Sequence, residues 1–161
     1  GGTISGWELA ASLPFDLLWA PLEGFGFVGS YSDTSSSIAP LGPDTSEPLP
    51  GLSEEVYNIS LYYERYGFSA RVSQRHRSEF LGEVQGFGGD RSRIEFGAES
   101  VVDAQIGYAF QGGSLEGLSL LLQVNNIKNE PFTSSFDGDS SRPRQYWGYG
   151  RTVLFGVNYR F

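Results

Sequence analysis

Apolar and polar side chains alternate at every second residue through run after run of this chain, and helical periodicity is nearly absent. A period of two is the signature of β-strands with chemically different faces. Trp7, Leu9, Ala11 and Leu13 alternate with Gly6, Glu8, Ala10 and Ser12. A second run, about Leu22 to Ser37, carries Phe25, Phe27 and Tyr31 on one face. Tyr57, Ile59, Leu61 and Tyr63 oppose Asn58, Ser60, Tyr62 and Glu64, and Phe68, Ala70 and Val72 oppose Ser69, Arg71, Ser73 and Arg75. Val102, Ala104, Ile106, Tyr108 and Phe110 form a fifth apolar series, and Leu118, Leu120, Leu122 and Val124 a sixth. The last is Val153, Phe155, Val157, Tyr159 and Phe161. The expectation is an all-β, antiparallel meander of about seven strands, most of ~10–14 residues against ~5–6 in ordinary sheets.

Short connections at Trp19-Ala20-Pro21, Tyr66-Gly67 and Gln111 to Gly117 alternate with long ones at about Ser37 to Ser53, Glu83 to Gly97 and Asn129 to Tyr146. Short turns at one end and long loops at the other are the pattern of outer-membrane barrels. A soluble up-and-down barrel or sandwich has no reason to segregate its long loops. Around Tyr66-Gly67, an even loop pairs Tyr63 with Ala70, Leu61 with Val72 and Ile59 with Gln74, and sets Tyr62 against Arg71 and Asn58 against Arg75. An odd loop inverts one strand and mixes the faces. A membrane barrel turns the apolar face to lipid and keeps Glu8, Glu64, Arg71, Arg75, Asp103, Gln123, Asn125 and Arg160 in its lumen. Aromatics gather at two levels: Trp19, Tyr66, Phe68, Phe110 and Phe161 by the short turns, and Tyr31, Tyr57, Trp147 and Tyr149 by the long loops.

Composition narrows the classes further. The chain has 161 residues, 11 basic against 19 acidic, a formal charge of −8 and no cysteine. That balance, without a basic stretch, argues against nucleic acid. The missing cysteines exclude disulfides, thiolate metal sites and a cysteine nucleophile in this stretch. No apolar run reaches the ~18–20 residues of a membrane helix. The abrupt Gly1-Gly2-Thr3-Ile4 start has no signal-peptide pattern and reads as a cut from a longer protein, whereas the terminal Phe161 reads as a natural end.

Residues with chemistry to offer are few. His76 and Ser78 lack a carboxylate placed to orient the imidazole, so a hydrolase is not expected, and His76 reads as a solvated or lumenal side chain. Asp137-Gly138-Asp139-Ser140-Ser141 lacks the terminal Glu of a calcium loop. No cofactor is implied. Recognition falls to the long loops, where Arg91, Arg93, Arg142, Arg144, Tyr146 and Trp147 offer charge for anionic chelates and rings for sugars.

The stretch Leu49 to Arg77 resembles the C-terminal barrel region of TonB-dependent outer-membrane receptors through Pro50-Gly51-Leu52-Ser53, Tyr62-Tyr63-Glu64 and Gly67-Phe68-Ser69-Ala70-Arg71. Ile4-Ser5-Gly6-Trp7-Glu8-Leu9, Leu122-Gln123-Val124-Asn125-Asn126-Ile127 and the ending from Gly150 to Phe161 fit the same pattern and order. The similarity is greatest to the receptor group common in Caulobacter- and Xanthomonas-like proteobacteria. It implies the last seven strands of a plugged barrel of about 22 strands, with the plug and TonB box lying outside this sequence. It further implies TonB-energised uptake of a ferric siderophore or oligosaccharide across a Gram-negative outer membrane. The implied partners are outer-membrane lipid, the plug and remaining strands, the TonB complex and the barrel-assembly machinery. The alternating Phe155, Val157, Tyr159 and Phe161 resemble the C-terminal signal read by that machinery. A passive porin or small structural barrel is the alternative.

Overall fold

The computed structural model describes residues 1–39, 46–85 and 92–160. In chain order these form β1 (Gly2–Pro14), β2 (Phe25–Ile38), β3 (Glu55–Arg65), β4 (Phe68–Arg77), β5 (Phe80–Gln85), β6 (Ser92–Phe96), β7 (Glu99–Ala109), β8 (Leu118–Asn125), β9 (Phe132–Phe136), β10 (Pro143–Trp147) and β11 (Thr152–Tyr159). The seven long strands expected from the alternation make one antiparallel sheet in the order β1-β2-β3-β4-β7-β8-β11. The four short ones make a second sheet in the order β10-β9-β6-β5, built from segments that the sequence alone marks as loops. The short connections all lie at one end of the large sheet. The end with the short turns is the inner end, and the end with the long loops is the outer end.

Register carries the two-faced character across the whole sheet. Leu9 lies opposite Tyr31, Leu13 opposite Phe27, Phe27 opposite Leu61, and Leu61 opposite Val72. The series continues through Val72 and Ala104, Ala70 and Ile106, Ile106 and Leu122, and Leu122 and Phe155. The hairpin at Tyr66-Gly67 sets the parity for β3 and β4. Arg65 pairs with Phe68, leaving two loop residues at φ 51° and 79°. Two consecutive positive φ values make a type I′ turn, whose twist matches that of the strands it joins. Gly67 is needed twice over, because a Cβ there would also strike the Ala109 carbonyl. The pairs Tyr63–Ala70, Leu61–Val72, Ile59–Gln74, Tyr62–Arg71 and Asn58–Arg75 are those the even loop requires.

The large sheet has no water-excluding core of its own. Among the described residues, the buried apolar side chains are Leu81, Ile94 and Val101, all at the outer end. On the apolar face Leu61 is 54% exposed, Ile106 50% and Phe155 70%. A soluble sheet leaving such a band in water would lose about 25 cal/mol for every Å² of apolar surface left uncovered. Hydrocarbon removes that loss, and the five strands between β1 and β11 are paired on both edges, as backbone in lipid must be. β1 and β11 are the terminal strands of the sheet.

Two rows of rings bound the apolar band. The outer row runs Trp7–Tyr31–Tyr57–His76, with centroids 5.1, 6.5 and 4.7 Å apart and near-parallel planes. The inner row links Phe25 to Tyr63 and Tyr63 to Phe68, with Tyr108 and Phe110 edge to face beyond. His76 therefore differs from expectation. The register sets it opposite Tyr57 on the apolar face, at the level where an amphipathic ring suits a membrane interface. Trp147 and Tyr149 do not join the outer row: Trp147 packs on Phe132 in the small sheet, and Tyr149 donates its hydroxyl to Glu99 at 3.1 Å. Phe161 lies outside the described residues.

Leu61→Arg in the full-length protein should cost roughly 2–4 kcal/mol by vesicle unfolding titration, the penalty for a cation near the bilayer midplane. Ser60→Arg, one residue along and on the opposite face, should cost far less. Equal costs would mean that the faces are assigned wrongly.

Candidate functional site

On the polar face, short side chains leave room and ion pairs hold the long ones. The hydroxyls of Ser60 and Ser73 meet at 2.8 Å, and the Tyr62 ring lies over Gly26, where a Cβ would collide with it. Arg75 reaches Asp103 at 3.5 Å, Arg71 approaches Glu64 at 3.7 Å, and Gln123 donates to Asn125 at 2.8 Å. Val28, Leu121 and Leu154 share this parity, so the face is mixed rather than wholly polar.

At the outer end, the β4–β7 connection folds as the hairpin β5–β6 and the β8–β11 connection as β9–β10. β6 pairs with β9 through Ile94–Phe136, Glu95–Ser135 and Phe96–Ser134, which makes the two hairpins one sheet. Phe80, Phe96, Phe132 and Trp147 form a ladder across one face, with successive centroids 5.1, 5.4 and 5.6 Å apart. Ile94 is fully buried. The Arg77 guanidinium, from the outer end of β4, lies over Phe80 and Phe132 and pairs with Glu99 at 3.3 Å. This contact fastens the small sheet to the wall.

Asn126 closes the base of the third long loop. It is 2% exposed and holds φ at 54°, a left-handed conformation that asparagine tolerates well. Its backbone N–H donates to Asp103 Oδ1 at 2.8 Å, and its Oδ1 accepts from the Glu130 N–H at 2.8 Å. Nδ2 donates to the carbonyls of Glu130 and Gly150 at 3.0 and 3.2 Å. The second Asn of the Asn125-Asn126 pair thus ties β8 to β7, to the loop and to the start of β11.

Among the described residues, the loop arginines expected to meet ligand are paired with carboxylates. Arg93 pairs with Glu47 at 3.1 Å and with Glu95 at 3.6 Å, and Arg144 pairs with Glu83 at 2.9 Å. Arg142 pairs with Asp137 at 2.8 Å. Arg91 lies outside the described residues. Tyr146 and Trp147 are both exposed, but consecutive strand residues project to opposite faces, so they do not form one platform. Phe155, Val157 and Tyr159 share the apolar parity of β11.

Asp137 and Asp139 build the turn that joins β9 to β10. Asp137-Gly138 has φ values of 55° and 70°, and Asp139 donates its N–H to the Phe136 carbonyl at 3.0 Å. The backbone N–H of Arg93, then the Arg142 guanidinium, hold the Asp137 carboxyl below the ordinary carboxylate range. The Ser141 hydroxyl and N–H do the same for Asp139. Ser78 Oγ accepts the Glu55 N–H at 3.1 Å while His76 stacks on Tyr57, so these two side chains serve structure.

Between the outer end of β2 and β3 and the β5–β6 hairpin lies a cleft of about 400 Å³. Asp33, Glu54, Glu55, Glu79 and Glu95 line it, with Arg93 on its wall. The residues that sequence reasoning misses are Ile94, Phe96 and Phe132. Their signals are short: the alternation of Arg93-Ile94-Glu95-Phe96, and Asp137-Gly138, a strong hairpin dipeptide.

A family model described as "TonB dependent receptor-like, beta-barrel" matches residues 1–127, from the start of the chain to just past β8. No curated protein and no solved structure matches the chain. The β9–β10 hairpin and β11 lie beyond the matched span, but β11 completes the same sheet by pairing with β8 from Thr152–Asn125 to Tyr159–Leu118.

Asn126→Ala removes the side-chain bonds at a buried position and leaves the Glu130 N–H without its acceptor. The expected loss is about 2–3 kcal/mol in the full-length protein. Proteolysis should then cut first between Ile127 and Gly150. Unchanged stability and cleavage would show that Asn126 does not hold the loop base.

Proposed function

We propose, for a chain that belongs to the TonB-dependent receptor-like β-barrel family, that it supplies the last strands of an outer-membrane receptor for TonB-energised uptake of a scarce ligand. The single observation that carries this is the coincidence of the family match with a two-faced sheet whose apolar side is uncovered. The family is one of receptor and transporter barrels, and its members belong to the Gram-negative outer membrane. In this proposal the remaining strands and the plug come from elsewhere in the same protein, β1 and β11 pair with neighbouring strands of the closed barrel, and the lumen lies on the Ser60–Ser73 face. The plug blocks passage until the TonB complex pulls on it. Lipid, the plug and the barrel-assembly machinery are the proposed partners.

The ligand is proposed to be a ferric siderophore or an oligosaccharide, met at the outer loops by residues among Arg91, Arg93, Arg144, Tyr146 and Trp147. Arg93 and Arg144 are neutralised by Glu47, Glu95 and Glu83, and the neighbouring cleft is acidic. An anionic chelate would have to break those pairs and approach like charge. Sugar hydroxyls can instead bond to the paired groups as they stand, with a ring stacked on an exposed aromatic. These charges favour the oligosaccharide.

Ligand accumulation measured in cells with and without TonB, at equal surface receptor, tests the proposal. Uptake should fall to background without TonB, whereas uptake that continues unchanged would leave the passive porin. Changing Tyr159 and Phe161 together to Ser should lower the amount of inserted receptor and leave uptake per inserted molecule unaltered. Normal insertion of that variant would remove the assembly role of the C-terminal residues.

A further inference from the structure

Two-stranded hairpins are marginal on their own in water, whereas three or more strands with an apolar face can sustain themselves. β5–β6 and β9–β10 are each such a hairpin, and each gains its missing neighbours through the β6–β9 pairing. The shared face is what buries Ile94 and aligns Phe96 with Phe132. Neither hairpin can leave without stripping the other of its core.

One carboxylate reinforces the seam. Asp137 Oδ1 accepts the Arg93 N–H at 2.9 Å, and the Asp137 N–H donates to the Arg93 carbonyl at 2.7 Å. Asp137 Oδ2 takes the Arg142 guanidinium at 2.8 Å. A second tie crosses the sheet, from Glu83 on β5 to Arg144 on β10. The first long loop joins at two points: Glu47 pairs with Arg93, and Gly51 donates its N–H to the Leu81 carbonyl at 2.7 Å. β5 and β6 are thereby held from both sides.

We propose that the β5–β6 and β9–β10 hairpins, pinned by Asp137 to Arg93 and tied to the first outer loop through Glu47, form one cap whose strands open and close as a single cooperative unit. A cap of this kind cannot admit ligand by moving one loop past a stationary neighbour. The inference concerns motion in the unliganded protein and does not depend on which ligand is carried or on coupling to TonB.

Hydrogen exchange of the full receptor in bilayers, without ligand and without TonB, tests it apart from the transport proposal. Asp137→Asn keeps the shape of the pin and removes its charge. Exchange should rise about tenfold, by a common factor, in Ser92–Phe96 and in Phe132–Trp147, as expected for one cooperative unit. β3 and β7 should keep wild-type rates. No acceleration, or acceleration confined to Phe132–Trp147, overturns the proposal. Glu95→Cys with Ser135→Cys, in a cysteine-free background, gives a second route if Asp137→Asn fails to assemble. These positions face each other across β6 and β9. An oxidised bridge should slow exchange in both hairpins together, and reduction should restore it. Cysteines that do not bridge, or a bridge that protects one hairpin only, overturn the proposal as well.

Discussion

Register parity is the constraint on which the rest of this structure depends. The large sheet hides almost nothing from solvent by folding, so it is not held by a core of the usual kind. Its stability rests on continuous strand-to-strand hydrogen bonding and on one face being apolar across every strand, so that lipid can take the place of a core. A shift of one residue in β4 would put Arg71 and Arg75 on the face of Leu61 and Ile106. The type I′ turn at Tyr66-Gly67 therefore matters beyond its size, since it fixes the parity of β3 against β4 locally.

The outer end obeys a different rule. There the chain leaves the membrane and returns to water, and the small sheet does what a soluble fold must do: it buries Ile94, stacks its rings and pairs its arginines with carboxylates. Arg77, the last residue of β4, stands at the border between the two regimes, with its guanidinium over the rings of the small sheet and its strand in the wall. Asn126 plays the corresponding part at the end of β8.

The seven long strands are legible in the sequence because each must present one clean face, and alternation over eight residues or more is hard to mistake. The Ile59–Gln74 and Asn58–Arg75 pairings follow from the same parity. The four short strands are not legible in that way. Each is five or six residues long, lies among Gly, Pro, Ser and Asp, and gains its core only from a hairpin far away in sequence. His76 is misjudged for a related reason. Its two arginine neighbours suggest water, but parity places them on the other face from it. The loop arginines are picked out as free charge, because nothing in the sequence tells Arg93 that Glu47 will be beside it.

The central claim, that the Leu61 face meets hydrocarbon and the Ser60 face the lumen, is open to one direct measurement. Spin labels placed singly from Tyr57 to Glu64 on β3 of the full receptor in bilayers report collision with oxygen, which concentrates in lipid, and with a polar nickel complex, which stays in water. Oxygen access should alternate with a period of two, peaking at Ile59 and Leu61, with nickel access peaking at Asn58, Ser60 and Tyr62. The reverse phase would put lipid on the polar side, and no alternation at all would mean that β3 is not part of a membrane wall.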